Sequence, residues 1–266
     1  MSLVRLSKEQ QAFYQANGYL VGLDPVFSPE EVVQLNRDLQ ELASLLEPGE
    51  KLQAIREWHM SSRWLYDIVA HPQILAYVEG ILGPNFYVWG SQFFAKAPHT
   101  PDTVAWHQDA YYWPLHPHHS VTVWLAFTDV DEANAAMKVI PGTHKAGLIK
   151  HQAVKTDSVL ALELEQGTFN ESDAQSLCMV AGSLSLHDDN IVHGSEANVS
   201  DRWRIGLTIR YSGTHVKCDL TKAPQFRAYL VNGVDEFNYN PSGAIPTEKF
   251  GRLEGSQHIA STDEFK

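Results

Sequence analysis

A histidine and an aspartate two residues apart are the strongest candidates for chemistry in this sequence. They stand in the segment Trp106-His107-Gln108-Asp109. Because alternate residues of a strand project from the same face, His107 and Asp109 would share one metal ion if this segment is extended. A second histidine from elsewhere would complete two imidazoles and a carboxylate on one face of an octahedron, which is typical of non-haem Fe(II) oxygenases. The competing interpretation is a paired structural histidine.

His193 is the candidate for the second histidine, because it leads through Gly194 and Ser195 into a strand rich in arginine, predicted over residues 204–211. In a partly dry pocket, the planar guanidinium of Arg204 would bind the distal carboxylate of a dicarboxylic acid through two hydrogen bonds. Lysine performs that task less specifically. The competing interpretation makes His193 a buried structural histidine and the arginines a solvated face of the strand.

The segments that must position these residues are predicted from capping signals, turns and periodicity. Serines followed three residues later by Gln or Glu predict two helix starts, and an apolar repeat at helical spacing predicts a third helix. The predicted helices cover residues 7–18, 28–49 and about 72–82, and the predicted strands cover residues 19–21, 85–96, 121–128, 137–140, 183–187 and 204–211. Phe13 and Tyr14 are expected on the buried side of the first helix.

The arrangement of strands predicts a two-layered fold. Residues 121–128 are so rich in apolar side chains that both faces of their strand must be covered. Short strands separated by turns indicate a double-sheet barrel or sandwich. No repeat or flexible linker divides the chain, so we predict one domain over residues 1–266, with a helical part at about 7–82 and a β core at about 85–211. Residues 219–266 lack periodicity, and we expect them to wrap the surface and cover the mouth of a site.

The composition excludes other classes of function. The chain has 266 residues, 44% of them apolar, a formal net charge of −12 and a pI near 5.5. We therefore expect a small-molecule substrate and no binding of nucleic acid or anionic membranes, which require a basic surface. Cys178 and Cys218 are too few for a disulfide framework and are interpreted as buried thiols in a reducing compartment. With no signal segment and no membrane-spanning run, a cytoplasmic protein is expected, whose oligomeric state the sequence leaves open.

Together these motifs resemble the phytanoyl-CoA dioxygenase family of Fe(II)- and 2-oxoglutarate-dependent oxygenases. The similar segments, in the family's order, are residues 11–41 (a short helix ending in Asn-Gly-Tyr and a second helix after Ser-Pro-Glu-Glu), 106–109 (the iron-binding Trp-His-Gln-Asp), 121–130 (a strand with Trp), 141–144 (a Pro-Gly-Ser-His turn, here with Thr143 in place of serine) and 193–211 (His-Gly-Ser to Arg-Tyr). The resemblance covers roughly residues 7–211 and is weak beyond Tyr211.

The resemblance implies a mainly β fold with flanking helices, whose core is a double-stranded β-helix, the cupin-like jelly-roll. It implies that His107, Asp109 and His193 bind Fe(II). It assigns 2-oxoglutarate to Arg204, which stands eleven residues after His193 as in the family. The residues that match positions lining the co-substrate pocket are Ser195, Trp124, Gln92 and Lys96, although an aromatic residue in an apolar strand is by default part of the core.

Further side chains compete for these roles. His187 and Asp189 are also two residues apart, but the resemblance puts them in the same strand and turn as His193, where they offer no separate third ligand. Arg202 and Arg210 are less well placed for 2-oxoglutarate. The histidines expected at the surface or at the substrate mouth are His116, His118 and His119.

The activity that the resemblance implies is hydroxylation of a substrate C–H bond, with consumption of dioxygen and conversion of 2-oxoglutarate to succinate and carbon dioxide. Halogenating relatives lack the carboxylate ligand, so Asp109 favours hydroxylation. Among the substrates of the family, a small polar metabolite is favoured, because the acidic chain disfavours the polyanionic CoA. The alternatives are a hydroxylase of acyl-CoA or carrier-bound substrates, a non-catalytic metal-binding jelly-roll, and a zinc hydrolase, which would leave Arg204 without a purpose.

Overall fold

The helices precede most of the strands in the computed structural model, which describes residues 3–153, 162–165 and 167–254. The α-helices are α1 (Lys8–Asn17), α2 (Pro29–Ala43), α3 (Arg63–Val69) and α4 (Pro72–Leu82). α1 and α2 begin with the predicted capping boxes, in which Ser7 and Ser28 exchange hydrogen bonds with Gln10 and Glu31. Both predicted starts are therefore confirmed.

The prediction differs from the structure at three places among the helices. α2 ends at Ala43 instead of near residue 49, because the chain changes to hydrogen bonds between residues three apart before it reaches Pro48. α3 was not predicted, since seven residues are too few to display a period. In α1, Tyr14 is buried, but Phe13 is 42% exposed, with its ring edge-on to the ring of the buried Tyr19.

The strands form two principal antiparallel sheets. They are β1 (Tyr19–Leu20), β2 (Phe86–Lys96), β3 (Val104–His107), β4 (Leu115–His116), β5 (Ser120–Ala126), β6 (Lys138–Ile140), β7 (His151–Ala153), β8 (Leu162–Leu164), β9 (Gln175–Ser176), β10 (Leu184–Asp188), β11 (Val192–Ser195), β12 (Arg204–Gly213), β13 (Lys217–Cys218) and β14 (Tyr229–Asn232). The larger sheet has the order β1-β10-β5-β12-β2-β14 and the smaller the order β3-β11-β6-β9, with the pairs β13-β4 and β7-β8 beside them. The predicted mainly β, cupin-like fold is confirmed, and the sheets do not close into a barrel.

The alternation of side chains gives the larger sheet two different faces. Val121 and Val123 of β5 and Leu207 and Ile209 of β12 point outward into one apolar cluster with the helices. Trp124, on the opposite face of β5, packs in a second cluster with residues of the smaller sheet. β5 is buried along its whole length, so the expectation that both its faces are covered is confirmed. The inner face also carries polar residues, which line the space between the sheets.

The chain after Asp219 contributes to the edge of the larger sheet. β14 pairs with β2, and Lys249 forms an ion pair of 3.0 Å with Asp38 of α2. Nearer its start, Phe226 packs against Trp89 on the inner face of β2. The described part of this segment thus lies along the sheet edge and the helices, and the remainder of the predicted cover, from residue 255, is outside the described residues.

The two cysteines differ in their burial. Cys218 is buried as predicted, but Cys178 is exposed, because it lies just beyond the short edge strand β9. No helix in residues 3–153, 162–165 and 167–254 has the length and apolar character needed to cross a membrane.

Candidate metal and co-substrate site

Two histidines and an aspartate converge in the space between the sheets. His107 ends β3, and His193 lies directly opposite it on the neighbouring strand β11. Asp109 is not on the strand, contrary to the prediction, because β3 stops at His107 and Asp109 begins a single 3₁₀ turn. One ligand atom from each of the three lies within 4.8 Å of the others, and no other such group of His, Cys, Asp or Glu side chains occurs in the described part of the chain.

The hydrogen bonds of the two histidines leave one nitrogen of each ring for a metal. The Nδ1–H of His107 donates to the carbonyl oxygen of Ala105 at 2.8 Å, and that of His193 donates to Ile191 at 3.0 Å. A carbonyl oxygen only accepts, so Nδ1 carries the proton and Nε2 presents its lone pair. The two Nε2 atoms lie 3.6 and 3.8 Å from Asp109 Oδ1. A small inward movement would place all three ligand atoms about 2.1 Å from a common metal ion. The residues therefore fit a ferrous ion.

The charges at this centre also suit metal binding. Burial opposes ionisation of Asp109, but the neighbouring imidazoles of His107, His187 and His193 outweigh it and hold the pKa of its carboxyl well below its usual range. Burial, together with His107, holds the pKa of the His193 imidazole well below its ordinary value. Asp109 is thus an anion and His193 a neutral imidazole, the forms in which they bind metals.

Hydrogen bonds of Thr122 and Gln108 hold Asp109 and its segment in place. Thr122 Oγ1 donates to Asp109 Oδ2 at 3.2 Å from the inner face of β5. Gln108 is fully buried, and its Nε2 donates to the carbonyl oxygens of Gly147 at 2.8 Å and Asn190 at 2.6 Å, while its Oε1 accepts the N–H of Ile149. The glutamine between His107 and Asp109 therefore ties their segment to residues 147–149 before β7 and to the turn that leads into β11.

His187 lies closer to this centre than predicted. Its Nε2 is 3.7 Å from Asp109 Oδ2, and its ring centroid is 4.8 Å from that of His193. The turn after Asp188 carries the chain from β10 of the larger sheet to β11 of the smaller, and the rings of His187 and His193 therefore lie near each other. Asp189 does not join His187 in a separate metal site, and its carboxyl has a pKa raised well above the ordinary value by burial and by Asp188.

Two positively charged side chains lie opposite each other on neighbouring strands of the larger sheet. Arg204 of β12 lies opposite Lys96 of β2, and both are buried. Arg204 Nη1 donates to the carbonyl oxygen of Ala135 at 2.6 Å, and burial lowers the pKa of Arg204 to about 10. Lys96 Nζ donates to the carbonyls of Ser195, at 3.4 Å, and Glu196. Burial, then the charge of Arg204, lower the pKa of Lys96 to about 7.

The other predicted pocket residues differ in their surroundings. Trp124 belongs to the core, but its ring also lies 5.5 Å from the guanidinium carbon of Arg204. It can do so because Gly206 leaves the space open: a Cβ there would be 2.1 Å from the indole. Ser195 is buried and contributes its carbonyl to Lys96. The amide of Gln92 donates to the carbonyl oxygen of Gln53 at 3.3 Å.

The remaining arginines of this region have different environments. Arg202 is at the surface, where it pairs with Asp131 at 2.5 Å. Arg210 is buried and lies 3.6 Å from the carboxylate of Glu57. The sequence carried a signal for Arg210, since residues an even number apart on a strand share a face and Arg210 follows Arg204 by six. It carried none for Glu57, which lies in an irregular segment.

Comparison with known proteins identifies the family. Residues 14–206 match the family model described as "Phytanoyl-CoA dioxygenase (PhyH)". The chain is 26% identical over 231 residues to "Phytanoyl-CoA dioxygenase, peroxisomal" of Bos taurus, with 78% of this chain and 68% of that protein covered. It is 26% identical over 228 residues to "Probable alpha-ketoglutarate-dependent hypophosphite dioxygenase" of Stutzerimonas stutzeri, with 77% and 78% covered.

A solved structure agrees with this match. The apo form of the non-haem monooxygenase ThoJ superimposes with a TM-score of 0.76 and 26% sequence identity, covering 90% of this chain and 89% of that chain. The family match, the cupin-like fold and the His-Asp-His centre identify an enzyme that uses Fe(II), 2-oxoglutarate and dioxygen. This chain belongs to the phytanoyl-CoA dioxygenase family of Fe(II)- and 2-oxoglutarate-dependent dioxygenases.

Proposed function

We propose that this enzyme hydroxylates a C–H bond of a small, polar metabolite. In this proposal, His107, Asp109 and His193 bind Fe(II), and Arg204 binds the distal carboxylate of 2-oxoglutarate. The observation that supports it is the position of two groups of side chains. Ligand atoms of His107, Asp109 and His193 converge between the sheets, and two buried cations, Arg204 and Lys96, lie opposite each other on β12 and β2 of the larger sheet.

Bound Fe(II) would couple the reduction of dioxygen to the decarboxylation of 2-oxoglutarate. His107 and His193 hold it as neutral imidazoles, and Asp109, oriented by Thr122, supplies one negative charge. Three protein ligands leave positions for the co-substrate and dioxygen. Arg204 neutralises the far carboxylate, and the burial of His107 and His193 limits the access of water to the reacting atoms.

Two properties of the chain support hydroxylation as the reaction and a small metabolite as the substrate. Asp109 supplies a carboxylate at the position where a halide would otherwise bind, which favours return of a hydroxyl to the substrate carbon. The net charge of −12 opposes the phosphates of CoA, which favours a small metabolite over an acyl-CoA. The names of the relatives differ in substrate, since one contains phytanoyl-CoA and another hypophosphite.

Substrate-dependent formation of succinate tests the proposed function. The protein is loaded with Fe(II) and 2-oxoglutarate and incubated in air with a panel of polar metabolites. The expected result is that one class raises succinate formation at least about tenfold and yields one hydroxylated product per succinate, because decarboxylation is coupled to substrate oxidation. Omission of Fe(II) is the control. Absence of succinate throughout, or its formation without an oxygenated product from any metabolite, contradicts the proposal.

Lys96 predicts a pH dependence of co-substrate binding. With a pKa of about 7, Lys96 is a cation below pH 7 and loses its charge above it, while 2-oxoglutarate stays fully ionised. The KM of the enzyme for 2-oxoglutarate should therefore rise between pH 6 and pH 8.5. The rise should be about tenfold if bound 2-oxoglutarate raises the pKa of Lys96 by one unit. The measurement is KM against pH for the wild type and Lys96→Met. The variant should show a flat profile, and an equally steep one would rule out this role for Lys96.

A further inference from the structure

A second group of buried charges lies on the inner face of the larger sheet, at the opposite end of β12 from Arg204. Arg210 and Glu57 are 7% and 5% exposed. Glu57 Oε1 lies 3.6 Å from Arg210 Nη1 and 3.8 Å from Arg56 Nε, distances too long for hydrogen bonds. Neither Glu57 Oε1 nor Arg210 Nε has a hydrogen-bond partner. Arg210 is thus held near a carboxylate without being hydrogen-bonded to it.

The side chain of Arg210 keeps donors available for a ligand. Its Nε has no hydrogen-bond partner, and the carboxylate of Glu57, 3.6 Å from Nη1, is too distant to accept a hydrogen bond. His59 contributes no charge here, because burial, followed by the nearby Arg210, lowers its pKa to about 3. A buried guanidinium with unused donors is suited to an anionic group.

The backbone at Glu57 is also strained. Glu57 has φ of 60°, in the left-handed region that residues with a side chain seldom adopt. Its side chain accepts the N–H of Ser91 at 3.2 Å, and its N–H donates to the carbonyl oxygen of Ser91 at 2.7 Å. These two contacts with β2 fix the carboxylate beneath Arg210. Strain of this kind persists where the surroundings hold it, and such positions cluster at functional sites.

Arg210 lies beside the metal centre. It is paired in register with Thr122, the residue that donates to Asp109. Its guanidinium carbon is 5.5 Å from the ring of Trp113, which follows Asp109 by four residues, and 5.8 Å from the ring of Trp89. The segment that supplies the third metal ligand thus also supplies a wall of the arginine site.

Arg204 and Arg210 are too far apart on the inner face of the larger sheet to bind the same small ligand. They are six residues apart on the same face of β12, which separates their Cα atoms by about 20 Å. Gly90, opposite Arg210 on β2, leaves room for the arginine side chain, since a Cβ there would be 3.0 Å from Arg210 Cδ. One small dicarboxylate bound to the metal cannot reach both arginines. If Arg204 binds the co-substrate, Arg210 faces the place of the substrate.

We propose that Arg210 binds an anionic oxygen group of the substrate, a carboxylate or a phosphorus oxyanion, and so holds the neighbouring C–H bond at the metal. Trp89 and Trp113 form the walls of this subsite, and Glu57 positions the guanidinium. The inference rests on the proposed function, because it takes Arg204 as the partner of 2-oxoglutarate. It narrows the small polar metabolite to an anionic one.

Binding of small anions to the anaerobic Fe(II) and 2-oxoglutarate complex tests the subsite. Acetate and inorganic phosphate are the probes, acetamide is the neutral counterpart of acetate, and heats of binding are measured by titration calorimetry. The visible absorbance of the iron and 2-oxoglutarate complex is followed to show that the co-substrate stays bound. At least one anion should bind the wild type and acetamide should not. Tighter binding of acetate indicates carboxylate substrates, and tighter binding of phosphate indicates phosphorus oxyanions.

Arg210 variants distinguish this site from other cations. Arg210→Gln, in which Arg56 still balances Glu57, should weaken anion binding at least tenfold, and Arg210→Lys should have an intermediate effect because it keeps the charge without the fork. Arg63→Gln, at an exposed arginine paired with Asp67, should bind like the wild type. If Arg210→Gln does not fold, the comparison rests on Arg210→Lys.

The outcomes separate the two proposals. If the iron and 2-oxoglutarate complex forms but binds neither anion, or binds them equally well in the Arg210 variants, the subsite is wrong while the hydroxylase proposal stands. If the complex with 2-oxoglutarate does not form at all, the proposed function itself fails. Selective binding that is lost with Arg210 supports the subsite.

Discussion

Replacing Asp109 by alanine should remove Fe(II) from the protein and abolish succinate formation. Asp109 supplies the carboxylate of the proposed metal centre, and its Oδ1 lies within 3.8 Å of both histidine Nε2 atoms. Loss of a residue that only orients a ligand weakens metal binding by about 10- to 100-fold, so loss of the ligand itself should exceed about 100-fold. Iron content, succinate and product are measured after reconstitution with Fe(II).

The same experiment distinguishes hydroxylation from halogenation. Asp67→Ala, which removes an exposed carboxylate, is the matched control and should keep full iron and activity. Chloride is added to each assay once a substrate is known. Chlorinated product from the wild type, or full iron and full hydroxylation in Asp109→Ala, would show that Asp109 is not a ligand and would refute the assignment of the triad.

Replacing Arg204 by lysine should raise the KM for 2-oxoglutarate by about 10- to 100-fold while kcat at saturation falls less. The charge is retained, but the fork that binds a carboxylate through two hydrogen bonds is lost, and a hydrogen bond to a charged group contributes about 1.5–3 kcal/mol. Lysine also cannot reproduce both the hydrogen bond to Ala135 and the contact with Trp124. The measurement is KM and kcat with respect to 2-oxoglutarate.

Arg202→Lys provides the control for this prediction. Arg202 is two residues away from Arg204, but its side chain is 50% exposed and pairs with Asp131 at the surface. Its replacement should leave both kinetic constants within about twofold, as surface substitutions usually do. An Arg204→Lys enzyme with an unchanged KM would mean that another residue binds the distal carboxylate.

The parts of the fold that local sequence determines were predictable. The capping boxes at Ser7 and Ser28 and the apolar strand predicted at 121–128 depend on residues within a few positions of one another. The structure has both capping boxes and a strand at Ser120–Ala126. The ends of elements depend on what packs around them. α2 therefore stops before Pro48, and Phe13 is exposed although its neighbour is buried.

The same distinction applies to the site. Spacing and family resemblance predict that His107, Asp109 and His193 lie together, and in the structure one ligand atom of each lies within 4.8 Å of the others. The position of Asp109 on a turn and the approach of His187 depend on where the chain crosses between sheets. Likewise, the contact of Glu57 with Arg210 joins residues far apart in the chain, for which a single sequence has no local signal.

The hydrogen bonds of Gln108 have a consequence for how the metal is taken up. Because one amide joins the segment carrying two ligands to Gly147, Ile149 and Asn190, the ligands are oriented by the protein before coordination begins. The conformational entropy of the site is then lost during folding instead of during metal capture. If His107 and Asp109 bind Fe(II) as proposed, we expect the ion to dissociate and rebind without refolding of this segment.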